Sequence, residues 1–566
     1  MLQLSLAQLN PTIGDIEGNV ARMIEAAQRA QAHGSRLVIF PELSITGYYP
    51  ADLLDEPGFL RRVDEGLAAL LQATQQLRDL HWVIGAPQPR SGPGKRLHNT
   101  LLVLHDGQVR LRYAKQLLPT YGVFDERRHF EPGPDVARVL RIDGLQIGLM
   151  ICEDGWNDAL EDYPVNPFER LRDAAPDLVV SINASPSQVG KREQRHRIFA
   201  DASRRHGLPI VWVNQIGGHD QLVYDGASFA VEPEAGVVFE ARRFVEDEAV
   251  LRFDQGRFTG PDGAHPPAVA PEGLSAMDFY RAQITLGLTD YARRCGFRQV
   301  VVGSSGGIDS ALTLVLAADA LGPHNVLAVT MPSAWSSAGS VDDSARLCAT
   351  LGVELRQHPI GALVQAYGQG FQAGFGRPLQ GLALENLQAR VRGTVLMEVS
   401  NAFGHLLLTT GNKSEISVGY CTLYGDTNGG LALIGDLYKT EVFALARHLN
   451  AQAGSDRIPQ PILDKPPSAE LAPGQRDSDS LPPYEVLDEV LKVLIEGDRL
   501  PDAERVVAEA AFARLQATPE GRALVQRVRT MIARSEYKRR QSPPIIRLRP
   551  RAFGSGRQMP IAARTV

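Results

Sequence analysis

Three side chains in the first half of the sequence and one turn in the second have the types and spacing for chemistry. Glu42 closes the apolar run LVIFPEL, Lys115 lies in RYAKQLLPTYGVFDE, and Cys152 ends LQIGLMICED. A thiolate is the strongest side-chain nucleophile near neutral pH, but it needs a base to take its proton and an acid to protonate a departing nitrogen. Glu42 can do both in turn, while the Lys115 ammonium holds that carboxylate and favours the negative charge of a tetrahedral oxyanion. Attack on an amide then yields ammonia and a thioester that water cleaves. Taken singly, each residue also has an ordinary role, packing for the cysteine and a solvated charge for the other two. In the second half, RQVVVGSSGGIDSALTLVL (residues 298–316) joins an apolar run to a helix-like pattern through a glycine-rich turn. Gly306 and Gly307 let a polyphosphate approach the unpaired N–H groups at a helix start, and the hydroxyls of Ser305 and Ser310 add donors. A Walker A loop would place Lys before its last hydroxyl residue; here Asp309 stands there, which points to ATP used differently from a kinase or GTPase.

The elements that must position these groups follow from periodicity. Up to about residue 250, short strand-like runs such as LQLSLAQLN, HWVIGAP, LQIGLMICED, PDLVVSINAS and LPIVWVNQIGG alternate with amphipathic helical patterns. That alternation predicts an α/β domain with a central sheet over residues 1–253. Residues 254–272 lose periodicity and fill with Pro and Gly, so a linker is expected there. Residues 273–566 resume strand-like runs, VLAVTMPS and HLLLTTGN, with helices between, the pattern of a doubly wound parallel sheet. The stretch 464–483, DKPPSAELAPGQRDSDSLPP, is too rich in Pro, Ser and charge for a core element and too long for an idle turn; a disordered surface insert is the other reading of its composition.

Composition narrows the partners. The 566 residues exceed what one core usually serves. A balance of 59 basic against 65 acidic residues argues against nucleic acid or anionic membrane as a partner and favours small-molecule chemistry. Cys152, Cys295, Cys348 and Cys421 are far apart without CxxC spacing, so neither a zinc site nor a disulfide framework is indicated and a reducing cytoplasm is the expected setting. The N-terminal sequence lacks a signal-peptide pattern, and no apolar run of about eighteen residues occurs, so a soluble, unprocessed protein is expected.

The blocks around these residues resemble known families. FPELSITGY, YAKQLLPTYGVFDE and ICEDGW are similar to the three signatures of the nitrilase (carbon–nitrogen hydrolase) superfamily, in the same order. That resemblance implies a four-layer αββα sandwich, with Glu42 as proton acceptor, Lys115 as electrostatic partner and Cys152 as nucleophile, and Tyr121, Ser185 and Lys191 where glutaminase members hold glutamine. The turn SSGGIDS matches the SGGxDS pyrophosphate loop of the N-type ATP pyrophosphatases, an adenine-nucleotide α-hydrolase-like, Rossmann-like fold, and implies adenylation with release of pyrophosphate. ENLQARVRG, TTGNKSEISVGYCTLYGD, GDLYKTEV, KPPSAEL and SEYKRRQ look like the NAD synthetase family. By that resemblance Gly303, Ser304, Ser305, Gly306, Gly307, Ile308, Asp309, Ser310, Thr410 and Lys439 hold ATP, and Asn386, Glu415 and Lys538 contact deamido-NAD. Magnesium accompanies ATP on Asp309 and Glu415, with no tightly bound organic cofactor, and a homo-oligomer forms through the synthetase domain. Ser304 stands where family members commonly have an apolar residue. On residue type alone, Glu415 can equally be a helix N-terminal charge.

These readings combine into a glutamine-dependent amidation of deamido-NAD. Free ammonia is mostly protonated at neutral pH, so a sheltered path from Cys152 to the Ser305 region is expected. Two rivals remain on sequence alone: an amidotransferase with another acceptor, for which ENLQAR and TGNKSE are the discriminating blocks, and a nucleotide-fold binding protein without turnover, against which the intact reactive set argues.

Overall fold

Alternating apolar residues set the two sheets of the first half. In the strand β1 (Leu2–Gln8) Leu2, Leu4 and Leu6 point one way, and in the helix α1 (Ile16–Ala32) Ile16, Val20, Met23 and Ala27 form one buried stripe. The chain continues through β2 (Leu37–Ile39), α2 (Pro57–Thr74), β3 (His81–Pro89), β4 (Leu97–His105), β5 (Gln108–Ala114), β6 (Val139–Ile142), β7 (Leu145–Ile151), α3 (Pro167–Ala174), β8 (Leu178–Asn183), α4 (Lys191–His206) and β9 (Ile210–Asn214). A short hairpin, β10 (Ile216–His219) and β11 (Leu222–Asp225), precedes β12 (Phe229–Glu232), β13 (Gly236–Glu240), β14 (Asp247–Asp254) and β15 (Arg257–Thr259). This computed structural model describes residues 1–159, 162–270 and 273–563.

The strands form a seven-stranded sheet, β15-β14-β1-β2-β3-β4-β5, and a six-stranded sheet, β13-β12-β9-β8-β7-β6. Their inner faces meet in one core, where Leu4, Leu6, Val83 and Val103 of the first sheet pack with Leu149, Ile151, Val180 and Val213 of the second. Outside, α3 and α4 cover the second sheet over Met150, Phe168, Phe199 and Trp212, while α1 and α2 lie on the first. The expected αββα sandwich is what forms.

The expected linker begins too early. Gln255 and Gly256 take positive φ values of 48° and 80°, a two-residue hairpin turn, and return the chain as β15 with Phe258 seated in the inter-sheet core. One apolar residue after a Gly-containing turn is enough to seat a short edge strand, which composition averaged over the segment conceals. Residues 271 and 272, also assigned to the linker, lie outside the described residues. By its contacts the chain divides into one compact unit of Met1–Gly217 with Val223–Gly273 and another of Gly218–Leu222 with Leu274–Val566.

The second unit contains α5 (Ala276–Arg294), β16 (Val300–Gly303), α6 (Ile308–Leu321), β17 (Val326–Thr330), α7 (Ala338–Leu351), β18 (Glu354–Gln357), α8 (Gly361–Phe375), α9 (Leu382–Phe403), β19 (Leu406–Thr409), α10 (Lys413–Val418), β20 (Leu431–Ala432) and α11 (Lys439–Ala453). Its five strands are all parallel in the order β18-β17-β16-β19-β20, so the winding reverses between β16 and β19. A ligand site is expected at the carboxyl ends of those two strands. Beyond α12 (Gln460–Asp464), the helices α13 (Tyr484–Leu491), α14 (Asp502–Gln516), α15 (Pro519–Arg534) and α16 (Glu536–Arg539) enclose a second core. The C-terminal tail then returns to the sheet: Ile545 bridges Ala432 in parallel, with Ala432 N donating to Pro544 O and Ile546 N to Ala432 O.

Candidate active sites

In the first unit Glu42, Lys115 and Cys152 leave the carboxyl ends of β2, β5 and β7. The loop bearing Glu42 lies so close to β3 that a Cβ on Gly85 would sit 2.2 Å from Leu43 N, so only glycine permits the approach. Lys115 is fully buried and donates to Glu42 Oε1 at 2.7 Å and to Glu126 Oε1 at 2.6 Å. Asn99 Nδ2 donates to Glu42 Oε1 at 2.7 Å, and Ala184 N to Oε2 at 3.0 Å, which fixes the carboxylate in the plane of its donors. Asp154 joins the two loops, accepting from Gln116 N and Leu117 N at 2.9 Å beside Lys115 and from Ile151 N at 3.0 Å beside Cys152. Burial raises the Asp154 carboxyl to about 6.

Cys152 itself takes a φ of 45°, a backbone position L-residues rarely hold, at the turn after β7. Burial, and after it the Glu42 carboxylate, pushes its thiol pKa well up, against the opposing Lys115 charge. The resting nucleophile is therefore a neutral thiol that must hand its proton to a base. For Lys115, burial disfavours the charge, but Glu126 and Glu42 outweigh it and hold the ammonium well above the ordinary lysine range. Burial, then Glu42, raises Glu126, against Lys115.

Glu126 was missed by the sequence reading, although it closes the YAKQLLPTYGVFDE block. Fully buried, it accepts from Lys115 and from Tyr48 OH at 2.7 Å, as a second carboxylate on the same ammonium. Tyr121 OH reaches Glu153 Oε1 at 3.0 Å, and Tyr163 OH reaches the same oxygen at 3.0 Å. Glu153, directly after the nucleophile, was also not singled out; its carboxylate is buried among tyrosines. Ser185 follows β8 and is held by Arg195, whose Nη2 donates to Ser185 O at 2.7 Å and whose Nη1 pairs with Asp225 at 2.7 Å. Lys191 opens α4 with its Nζ 3.7 Å from the centre of the Trp156 ring.

In the second unit β16 ends at Gly303, and α6 starts with Gly307 as N-cap, its first-turn N–H groups facing a cavity of about 260 Å³. Gly306 has φ 72°, and a Cβ there would lie 2.3 Å from Ser340 O. Ser305 N donates to Ser310 Oγ and Gly307 N to Ser305 Oγ, both at 3.3 Å, which curls the turn. Ser304 Oγ donates to Ser344 Oγ, so the hydroxyl at this position has an internal partner. Thr410, one residue past β19, lines the same cavity, as the winding reversal requires. Lys439 opens α11 and donates to Asp309 Oδ2 at 2.5 Å and Glu415 Oε1 at 3.0 Å. Asn412 Nδ2 donates to Asp309 Oδ1 at 2.9 Å. Burial raises Glu415 to about 7 against the pull of Lys439.

Glu415 stands in the first turn of α10, so the helix-terminal position and the cavity position are the same. Asp309 and Glu415 offer hard carboxylate oxygens around one point of positive charge, a donor chemistry that suits magnesium; Lys439 supplies the charge at that point. Asn386 and Lys538 turn elsewhere: Asn386 Oδ1 accepts from Thr422 Oγ1 at 2.9 Å, and Lys538 Nζ donates to Gly419 O and Cys421 O at 2.8 and 2.7 Å, closing the end of α10. The 464–483 stretch forms one wall of the cavity. Lys465 pairs with Glu470 at 3.1 Å, Ser340 Oγ donates to Glu470 at 2.6 Å, and Asp477 is buried.

A buried thiol beside a carboxylate–ammonium–carboxylate set, on one chain with an SGGxDS turn at the switch point of a parallel sheet, defines an amidotransferase-type ligase. The comparisons agree. The chain matches the carbon-nitrogen hydrolase family over residues 3–257 and the NAD synthase family over residues 280–542. It is 43% identical to the glutamine-dependent NAD(+) synthetase of Synechocystis sp., covering 99% of each chain. Its identity to the Thermotoga maritima synthetase is 38%, over 100% of this chain and 99% of that one. Among solved structures, the Acinetobacter baumannii glutamine-dependent NAD+ synthetase in complex with ADP has TM-score 0.76 at 36% identity, over 99% of this chain and 98% of that one. The Cytophaga hutchinsonii synthetase, at TM-score 0.79 and 20% identity over 99% and 98%, shares the fold. The chain belongs to the glutamine-dependent NAD(+) synthetase family, ligases that take their amide nitrogen from glutamine.

Proposed function

We propose that the second unit adenylates the free carboxylate of deamido-NAD with ATP, releasing pyrophosphate, and that ammonia freed from glutamine in the first unit displaces AMP to give NAD. The observation that carries this reading is the pair of complete reactive sets: Cys152 within the field of Glu42 and Lys115, and the Ser305–Ser310 turn facing Lys439, Asp309 and Glu415. Glu42 takes the Cys152 proton as sulfur attacks the glutamine amide carbon, then returns it to nitrogen as the carbon–nitrogen bond breaks. Lys115 stabilises the carboxylate and the oxyanion, and water, deprotonated by Glu42, cleaves the thioester to glutamate. The Glu153 carboxylate, beside Tyr121 and Tyr163, offers an anionic partner to the substrate ammonium; Ser185 and Lys191 lie between β8 and α4, with Lys191 over the Trp156 ring.

In the second unit the α6 N-terminus and the hydroxyls of Ser305 and Ser310 receive phosphate oxygens, and Lys439 offsets their charge. Magnesium on Asp309 and Glu415 would supply the remaining positive charge for the departing pyrophosphate. Thr410 bounds the nucleotide, whereas Asn386 and Lys538 shape the deamido-NAD side through Thr422 and the end of α10. Ammonia passes from one reaction to the other without mixing with solvent. The second unit pairs with another copy through α8, which carries no charged residue and buries none of its own, and leaves Tyr367, Phe375 and neighbouring Leu382 exposed. The four cysteines are all free, which supports a reducing compartment. The test is Cys152→Ala: synthesis from glutamine is expected to vanish while synthesis from ammonium salts persists, and loss of both would refute the division of labour.

A further inference from the structure

Outside the cavity, a densely charged buried cluster surrounds Arg549. Its side chain is fully buried and its fork reaches three carboxylates: Glu496 Oε1 at 2.8 Å, Glu441 Oε1 at 2.6 Å and Glu504 Oε2 at 2.6 Å, with Tyr280 OH at 2.9 Å. Glu496 ends a π-helical turn, Lys492–Glu496, that continues α13. Such turns are rare overall and frequent at functional sites. From there Glu496 Oε1 also accepts from Lys413 Nζ at 3.0 Å. Lys413 opens α10, is itself fully buried, and donates to the carbonyl of Arg551 at 2.9 Å.

The second arm reaches the other helix. Glu441 Oε2 accepts from Tyr438 N at 2.9 Å, capping α11 one residue before Lys439. One guanidinium therefore grips the anion that holds the start of α10 and the anion that holds the start of α11. Those helices carry Glu415 and Lys439, which meet at 3.0 Å.

We propose that Arg549 is a positioning residue for adenylation: by bridging Glu496 and Glu441 it sets the separation of α10 and α11 and so places Lys439 against Glu415 and Asp309. An ion cluster this deep is a poor source of stability, because apolar residues of similar volume would fill the space at no desolvation cost. Its return is geometry, and the planar fork that spans two anions at once is a property of arginine that lysine does not share. The proposal rests on the assignment of Lys439 to the ATP side of the reaction.

The experiment uses full-length protein with ammonium salts as nitrogen source, so that the Cys152 reaction is not needed. Single-turnover pyrophosphate release reports competent sites by its amplitude and per-site adenylation by its rate. Arg549→Met is expected to lower the rate about 100-fold at near wild-type amplitude, as misplacement of reacting groups does. KM for ATP and for deamido-NAD should stay within about threefold. Arg549→Lys should recover part of the rate. Should Arg549→Met not fold, Glu504→Gln alters the partly exposed partner instead, and about a threefold slower rate at full amplitude is expected. A loss of amplitude with a normal rate on the surviving sites, or an unchanged rate, overturns the proposal. Lys439→Met is run in parallel. Were it to adenylate normally, the ATP-side assignment would fall and the proposal with it; were it inactive while the Arg549 variants adenylate normally, only the proposal would.

Discussion

Replacing Glu126 by Gln tests how the first reactive set is poised. The Lys115 ammonium lies between two carboxylates, 2.7 Å from Glu42 and 2.6 Å from Glu126. At an effective dielectric of about 20, each attraction is on the order of 6 kcal/mol before the burial cost of the ions is set against it. Neutralising Glu126 leaves Lys115 and Glu42 as a matched pair, so the fold should survive. The negative charge of Glu126, which opposes the ammonium at Glu42, is then gone. With that opposing charge gone Glu42 is a weaker base, and glutamine-supported synthesis is expected to slow about 100-fold. Ammonia-supported synthesis bypasses Glu42 and should be unchanged, with the melting temperature showing that the protein is folded. A glutamine-supported rate within about threefold of wild type would refute the shared-ammonium argument, as would a parallel fall with ammonia.

Three further outcomes follow from the geometry. Gly306→Ala places a methyl group 2.3 Å from the Ser340 carbonyl oxygen at φ 72°, so the turn or α7 must move; ATP–pyrophosphate exchange should fall about 100-fold, with a lowered melting temperature. Burial disfavours the Glu496 charge, but Lys413 and Arg549 prevail and hold its carboxyl at about 2, below the 4.5 of a free glutamate. Its ionisation stabilises the fold fully above pH 4.5 and progressively less as pH falls towards 2. Glu496→Gln should therefore cost about 3–5 kcal/mol at neutral pH, measured by urea unfolding, with the gap narrowing below the free value; a gap independent of pH would contradict the ion pairs. Introducing charge on α8 as Tyr367→Glu with Phe375→Glu should reduce the particle mass in light scattering, and an unchanged mass would remove α8 from the interface.

Much of this molecule is legible in its residues, for reasons that differ by element. The SSGGIDS turn announces itself because its constraints are local: a glycine at positive φ, hydroxyls one and four residues away, and an apolar strand on one side. Glu42, Lys115 and Cys152 each follow an apolar run that marks a strand end. Glu126 gives no such cue, since only the tertiary path of a 3₁₀ turn brings it to Lys115. The short strand β15 hides in a Gly- and Pro-rich segment because one Phe decides it. The 464–483 stretch reads as solvent-loving, yet Glu470 finds Ser340 across the chain at 2.6 Å, and Asp477 finds the neighbouring Tyr484 at 2.8 Å. Lys538 reads as one charge in a basic run, and only the fold brings it to the carbonyls of Gly419 and Cys421 at the end of α10.

The tail that bridges Ala432 through Ile545 and delivers Arg549 and Arg551 to the start of α10 also sets an order of events during synthesis. The sandwich bearing Cys152 is complete once β15 has emerged, hundreds of residues earlier, and domains generally fold as they leave the ribosome. The parallel sheet, by contrast, lacks its last bridge and its buried cations until the tail is free. A nascent chain thus completes the sandwich that bears Cys152 before the packing around the parallel sheet that bears the SSGGIDS turn.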